Sequence, residues 1–136
     1  MKKLVAWLLA VACIGGLAGC SSSGTRPYQD LTAQEVSSAT VHLIPPDKTL
    51  PVEDIGELVA LLNDVVIYSK DSSYTDYAGQ AVTFTLAMTD GTQTSIKEYN
   101  PFLVIDGVGY RTEYEPCEAL NNYANELLNA AESNAE

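Results

Sequence analysis

Between Val82 and Tyr114 the chain alternates apolar and polar residues, and it interrupts the alternation twice with Asp-Gly, at Asp90-Gly91 and Asp106-Gly107. A period of two sends successive side chains to opposite faces of an extended strand. An Asp-Gly pair supplies the positive φ that a two-residue hairpin turn requires. Val82, Phe84, Leu86 and Met88 therefore share one face of a strand, and Thr83, Thr85, Ala87 and Thr89 the other. Thr92 to Tyr99 returns, Asn100-Pro101 breaks the ladder, and Phe102 to Ile105 resumes it. Val108, Tyr110, Thr112 and Tyr114 then alternate with Gly109, Arg111 and Glu113. Two successive Asp-Gly hairpins predict an antiparallel meander.

The flanking segments supply the helices. Thr32 and Glu35 have capping-box spacing, which predicts a short helical turn over Leu31 to Ser37. Ala39, Val41 and Leu43 alternate with Thr40 and His42 as a strand that Pro45-Pro46 stops. From Pro51 onward, Val52, Ile55, Leu58, Val59 and Leu62 recur at helical spacing, with Glu53, Asp54 and Glu57 in the first turn, where the helix dipole favours acids. Val65 to Ser69 is a β-rich run, and Lys70 to Gln80 a polar loop. Pro116 suits a helix's first turn. Behind it Cys117, Leu120, Ala124, Leu127, Leu128 and Ala131 form an apolar stripe opposite Glu118, Asn121, Asn122, Asn125, Glu126 and Asn129. The expected order is β-α-β-β-β-β-β-α, an α+β fold with two helices on an antiparallel sheet of about five to six strands. Residues 28–132 make one domain of about 105 residues, enough to bury roughly 60–70% of the unfolded surface. Residues 133–136 read as an acidic tail.

The first 19 residues have a different character. Lys2 and Lys3 precede an apolar run from Leu4 to Ile14 of about 11 residues, within the roughly 7–15 of a secretory signal. Up to Gly19 there are about 16 uncharged residues, fewer than the roughly 18–20 of a spanning helix. Leu17-Ala18-Gly19-Cys20, followed by Ser21-Ser22-Ser23-Gly24, resembles the lipobox of bacterial lipoproteins. That resemblance implies a signal peptide over 1–19, a diacylglyceryl group on the sulfur of Cys20 and an acyl chain such as palmitate on its amine. Burial of acyl chain is worth about 0.8 kcal/mol per methylene, and two chains make a lasting anchor where one does not. Residues 20–27 would then be the lipidated cysteine and a polar tether, placing the domain on the extracytoplasmic face of the cell membrane.

A wider frame resembles small uncharacterised lipoproteins of Gram-positive bacteria: Asp30-Leu31, Val36-Ser37-Ser38, Leu58 to Asn63, Tyr99-Asn100-Pro101-Phe102-Leu103-Val104-Ile105-Asp106-Gly107 and Tyr110-Arg111. It implies location and fold and lends no catalytic residue.

From Cys20 onward five cations, at 26, 48, 70, 97 and 111, stand against all 18 acids, a formal charge of −13. Such a domain excludes nucleic acid, whose binding needs cations to neutralise phosphates, and an anionic membrane surface repels it within a Debye length. A basic envelope or exported protein, or a cationic ligand, is the expected partner. Acidity also serves solubility.

No catalytic, cofactor or metal residue is assigned. The single histidine, His42, has no metal-ligand spacing around it and no serine in a G-x-S-x-G turn to serve. Gly107-Val108-Gly109 leads into a strand instead of a helix, so it is no phosphate loop. Asp71 to Asp76 lacks the glycine and the closing glutamate of a calcium loop. Cys117, the one thiol left after processing, lies on the apolar helix stripe and is expected to be buried. Tyr68, Tyr110 and Tyr123 are expected to pack the core, whereas Tyr74 and Tyr77, with Asp71 and Asp76 in the Lys70 to Gln80 loop, form the candidate binding surface. These residues point to a binding module. The alternatives are an inhibitor or accessory subunit, or a carboxylate-based hydrolase, whose mark would be a concave pocket holding two carboxylates with one raised pKa.

Overall fold

The computed structural model describes residues 24–76 and 79–135. Cys20 and Tyr77 lie outside them. Strands β1 (Val36–Ile44) and β2 (Lys48–Pro51) precede helix α1 (Ile55–Asn63), and β3 (Ile67–Lys70) follows it. Strands β4 (Ala81–Met88), β5 (Gln93–Tyr99), β6 (Phe102–Ile105) and β7 (Val108–Thr112) then lead into helix α2 (Tyr114–Ala135). All seven strands form one antiparallel sheet in the order β2-β1-β4-β5-β6-β7-β3. The class is α+β, as expected, with one strand more than the sequence suggested.

The extra strand is β2. Pro45-Pro46 do not only stop β1; with Asp47 at φ 75° they turn it, and the Asp47 N–H donates to the Leu43 carbonyl at 2.7 Å. His42 Nε2 lies 2.7 Å from Asp47 Oδ1 across the same turn. Leu50 is the only buried residue of β2, so no alternation marked it. Helix α1 starts later than the apolar spacing suggested, because the Asp54 carboxylate accepts from the Glu57 N–H at 3.0 Å and sets the N-cap there.

The meander is present, with its two turns built differently. Asp106-Gly107 is a two-residue turn with positive φ at both positions, closing Ile105 against Val108. Asp90-Gly91 belongs to a three-residue loop. Its Gly91 N–H donates to Met88 O and its Asp90 carboxylate accepts the Thr92 N–H and hydroxyl, while Met88 N–H bonds Thr92 O beyond the loop. Strand β7 ends at Thr112, and Tyr114 already belongs to α2, which runs on to Ala135 through the segment read as a tail.

Both helices cover one face of the sheet. Val41, Leu43, Val82, Phe84, Leu86, Ile96 and Leu103 meet Leu58, Leu62, Leu120, Ala124 and Leu128 in a single core, with the Phe84 and Tyr123 rings 6.4 Å apart. Tyr123 is thus a core residue, as expected. Tyr68 is not; it stands on β3 at the end of the sheet, 41% exposed, where among the described residues the outer side of the strand is bridged only at Ile67, by Thr25.

The segment 24–31 is fastened to this body. Thr25 exchanges two 2.8 Å backbone hydrogen bonds with Ile67, Arg26 donates to the Asn63 carbonyl, and the Asn63 amide donates to the carbonyls of Tyr28 and Leu31. The expected free tether therefore ends by Gly24, where an added Cβ would lie 2.5 Å from Ile67 O.

Candidate functional site

The loop that the sequence singles out is bound to the sheet face opposite the helices. Asp71 accepts the Ser73 N–H and hydroxyl on one oxygen and the Arg111 guanidinium, at 3.1 Å, on the other. Those Ser73 bonds, followed by the charge of Arg111, hold its carboxyl below the usual carboxylate range. Tyr74 lies on Gly109, where any Cβ would come within 2.6 Å of its ring, and its centroid is 6.3 Å from that of Tyr99. The ring so spans β7 to β5 across β6, whose outward residues Phe102 and Val104 are 2% and 6% exposed. Asp71 and Tyr74 thus lie half-buried over the sheet's outer face, where with Lys70, Ser72, Gly107 and Gly109 they line an open pocket of about 340 Å³. Asp76 is exposed at the end of a short 3-10 turn.

The other end of the same loop borders a different feature. Gly79 and Gln80, the end of β5 with its turn (Glu98, Tyr99, Asn100) and the first two turns of α2 (Tyr114, Glu118, Asn121) line an open cleft of about 350 Å³. Gln80 holds the walls together: its amide donates to Pro45 O and Asn125 Oδ1, and its carbonyl accepts from Asn121 and Asn125.

At its floor is Glu98, 1% exposed. Strand alternation dictates that placement: Ile96 faces the core, so Glu98 does too, opposite Val82 and Leu103. The Cys117 thiol donates to Glu98 Oε2 at 3.4 Å, while Oε1 is buried without a hydrogen-bond partner. Burial pushes the Glu98 carboxyl above its ordinary value, and Glu118 pushes the same way. The Cys117 thiol, the Asn121 amide and the Asn100 N–H oppose them, though neither amide closes a bond onto Oε1. Burial, and then the neighbouring Glu98 charge, push Cys117 up as well, so the expected buried, unreactive thiol is what the fold provides. At the rim the Tyr114 hydroxyl donates to Glu118 Oε2 at 3.1 Å, which raises the tyrosine's own pKa.

Among the described residues three buried side-chain oxygens have no partner, and two of them, Glu98 Oε1 and Asn100 Oδ1, belong to this cleft. A buried acceptor left unpaired costs about 1–3 kcal/mol. The cleft thus presents two buried acceptors without a partner, beside two carboxylates and two tyrosines. The sequence reading missed Glu98 because 18 acids gave no reason to prefer one; the inward step from Ile96 was the available signal. The third unpartnered oxygen, the hydroxyl of Tyr28, lies apart from the cleft lining.

No group of three or more histidine, cysteine or carboxylate side chains that could hold a metal occurs among the described residues, and no helix there is long and apolar enough to cross a membrane. Comparison with protein-family models, curated proteins and solved structures finds no match for this chain.

Proposed function

We propose that the protein is a membrane-anchored extracytoplasmic binding module, held by lipid on Cys20, whose cleft over Glu98 takes a cationic group rich in N–H donors, such as the ammonium or guanidinium of an exported or envelope protein. The observation that carries the binding site is the unpaired Oε1 of Glu98 at the floor of an open cleft. A bound ammonium restores the missing hydrogen bond and compensates the buried charge, and such charge-assisted bonds are the strong ones. Tyr114 offers ring surface at the rim, and the acidic remainder of the domain draws cations in.

Titration of the chain with lysine amide, arginine amide and spermidine tests the cleft. Binding is expected to strengthen as pH rises through the raised Glu98 value, since the cation must displace a proton, and to vanish in Glu98→Ala. Cation binding that Glu98→Ala leaves intact would refute the assignment. The anchor is tested apart from the cleft, by membrane fractionation of the native chain beside Cys20→Ala.

One observation favours a second reading: Glu98 and Glu118 share the cleft and the first has a raised pKa, the pairing that general acid-base hydrolysis uses. A carboxylate hydrolase would lose turnover, and not only affinity, in Glu118→Gln.

A further inference from the structure

A lipid on Cys20 would hold this domain by a very short leash. Residue 24 is already packed on β3, and residue 25 is paired with Ile67 by two backbone hydrogen bonds. Four residue steps at up to about 3.6 Å each span no more than about 14 Å from Cys20 to Gly24. The edge strand β3 is therefore the part of the sheet closest to the anchor. The opposite edge, β2, lies six strand spacings away, about 29 Å at about 4.8 Å each.

The chemistry of the two sides differs in the same sense. Residues 24–30, β3 and β7 contain Arg26, Lys70 and Arg111, three of the five cations beyond the signal, and Asp30 alone of the 18 acids. Four acids that flank them are engaged: Asp64 pairs with Arg26, Asp71 with Arg111, Glu113 accepts the Tyr68 hydroxyl at 3.2 Å, and Asp106, in the turn before β7, accepts the Ser95 N–H at 2.9 Å. These cations lessen, at this edge, the repulsion that anionic headgroups exert on a strongly acidic domain. It also carries an exposed tyrosine, Tyr68, a side chain suited to the headgroup layer, where an apolar ring and a polar tip are both satisfied.

We infer that the β3 edge, with Tyr68, Lys70 and Arg26, is a bilayer-facing surface, that the strands run parallel to the membrane plane, and that the β1–β2 hairpin is the outermost part of the domain. The inference rests on the lipid anchor of the proposed function. It leaves the Glu98 cleft, three strands in from β3, open to partners arriving along the surface.

The test uses the lipidated chain in vesicles of phosphatidylethanolamine and phosphatidylglycerol doped with a headgroup-attached quencher. Fluorophores are placed singly at Ser69→Cys on β3 and Thr49→Cys on β2, both exposed positions; Cys117 is buried and stays unlabelled. The Ser69 label is expected to lose most of its emission and the Thr49 label to keep most of its own, and a long Gly-Ser insertion between Ser23 and Gly24 should narrow the difference. Equal quenching, or the reverse order, would overturn the orientation, and a difference that the insertion leaves unchanged would overturn the leash as its cause. If the labelled chain fails to float with the vesicles and Cys20→Ala behaves alike, the anchor itself is wrong, an outcome that flotation separates from the quenching result.

Discussion

Replacing Glu98 by leucine removes the one buried carboxylate among the described residues, and it should make the protein more stable. Glu98 sits opposite Val82 and Leu103 with an oxygen that nothing satisfies. Leucine is of similar size and meets the same neighbours without a polar atom. Cys117 Sγ would lose one acceptor and keep its contact to the Phe102 carbonyl at 3.7 Å. Removing an orphaned buried acceptor is worth about 1–3 kcal/mol. In a domain of this size that is a rise in Tm of roughly 4 °C per kcal/mol.

The pH dependence gives the prediction a sign that packing alone would not. The folded value of Glu98 stands above its ordinary one because of burial. Between those two values the folded chain keeps a proton that the unfolded chain has released, so stability falls as pH rises through that window. Urea unfolding of the wild type and Glu98→Leu at neutral and at acid pH checks this. The gain should be largest at neutral pH and shrink in acid, where Glu98 is protonated in both states, and the same variant should lose cation binding. A stability loss at neutral pH would refute the reasoning, because it would mean that the carboxylate is a satisfied member of the core. Stability gained where function is lost is the usual mark of a binding group held at a cost to the fold.

Three further outcomes follow from particular contacts. Gly109→Ala places a Cβ within 2.6 Å of Asp71 O and the Tyr74 ring, so it should cost about 1–3 kcal/mol as an overpacking change and speed proteolysis within the 71–79 loop. Asp54→Ala removes the carboxylate that caps α1 and should cost about 1 kcal/mol in urea unfolding. The Cys117 thiol, buried and pushed up in pKa, should resist a disulfide reagent in the folded chain and react at a rate that tracks unfolding; rapid native reaction would place it at the surface.

The sequence by itself determined what depends on neighbours within a few residues. The alternation of Val82, Phe84 and Leu86, the positive φ that Asp106-Gly107 permits, the stripe from Cys117 to Ala131 and the capping box of Thr32 and Glu35 are local preferences, and each appears in the structure. So too does the inward side of Cys117. Tertiary structure decided whatever needs a partner distant in the chain. Strand β2 exists because β1 offers it a ladder, not because Lys48–Pro51 has a strand pattern. The Tyr74 ring lies over the sheet because Gly109, 35 positions on, leaves room for it. Glu98 becomes singular among 18 acids only when Val82, Leu103 and Cys117 close around it, because the cost of a charge is set by the water that the fold takes away.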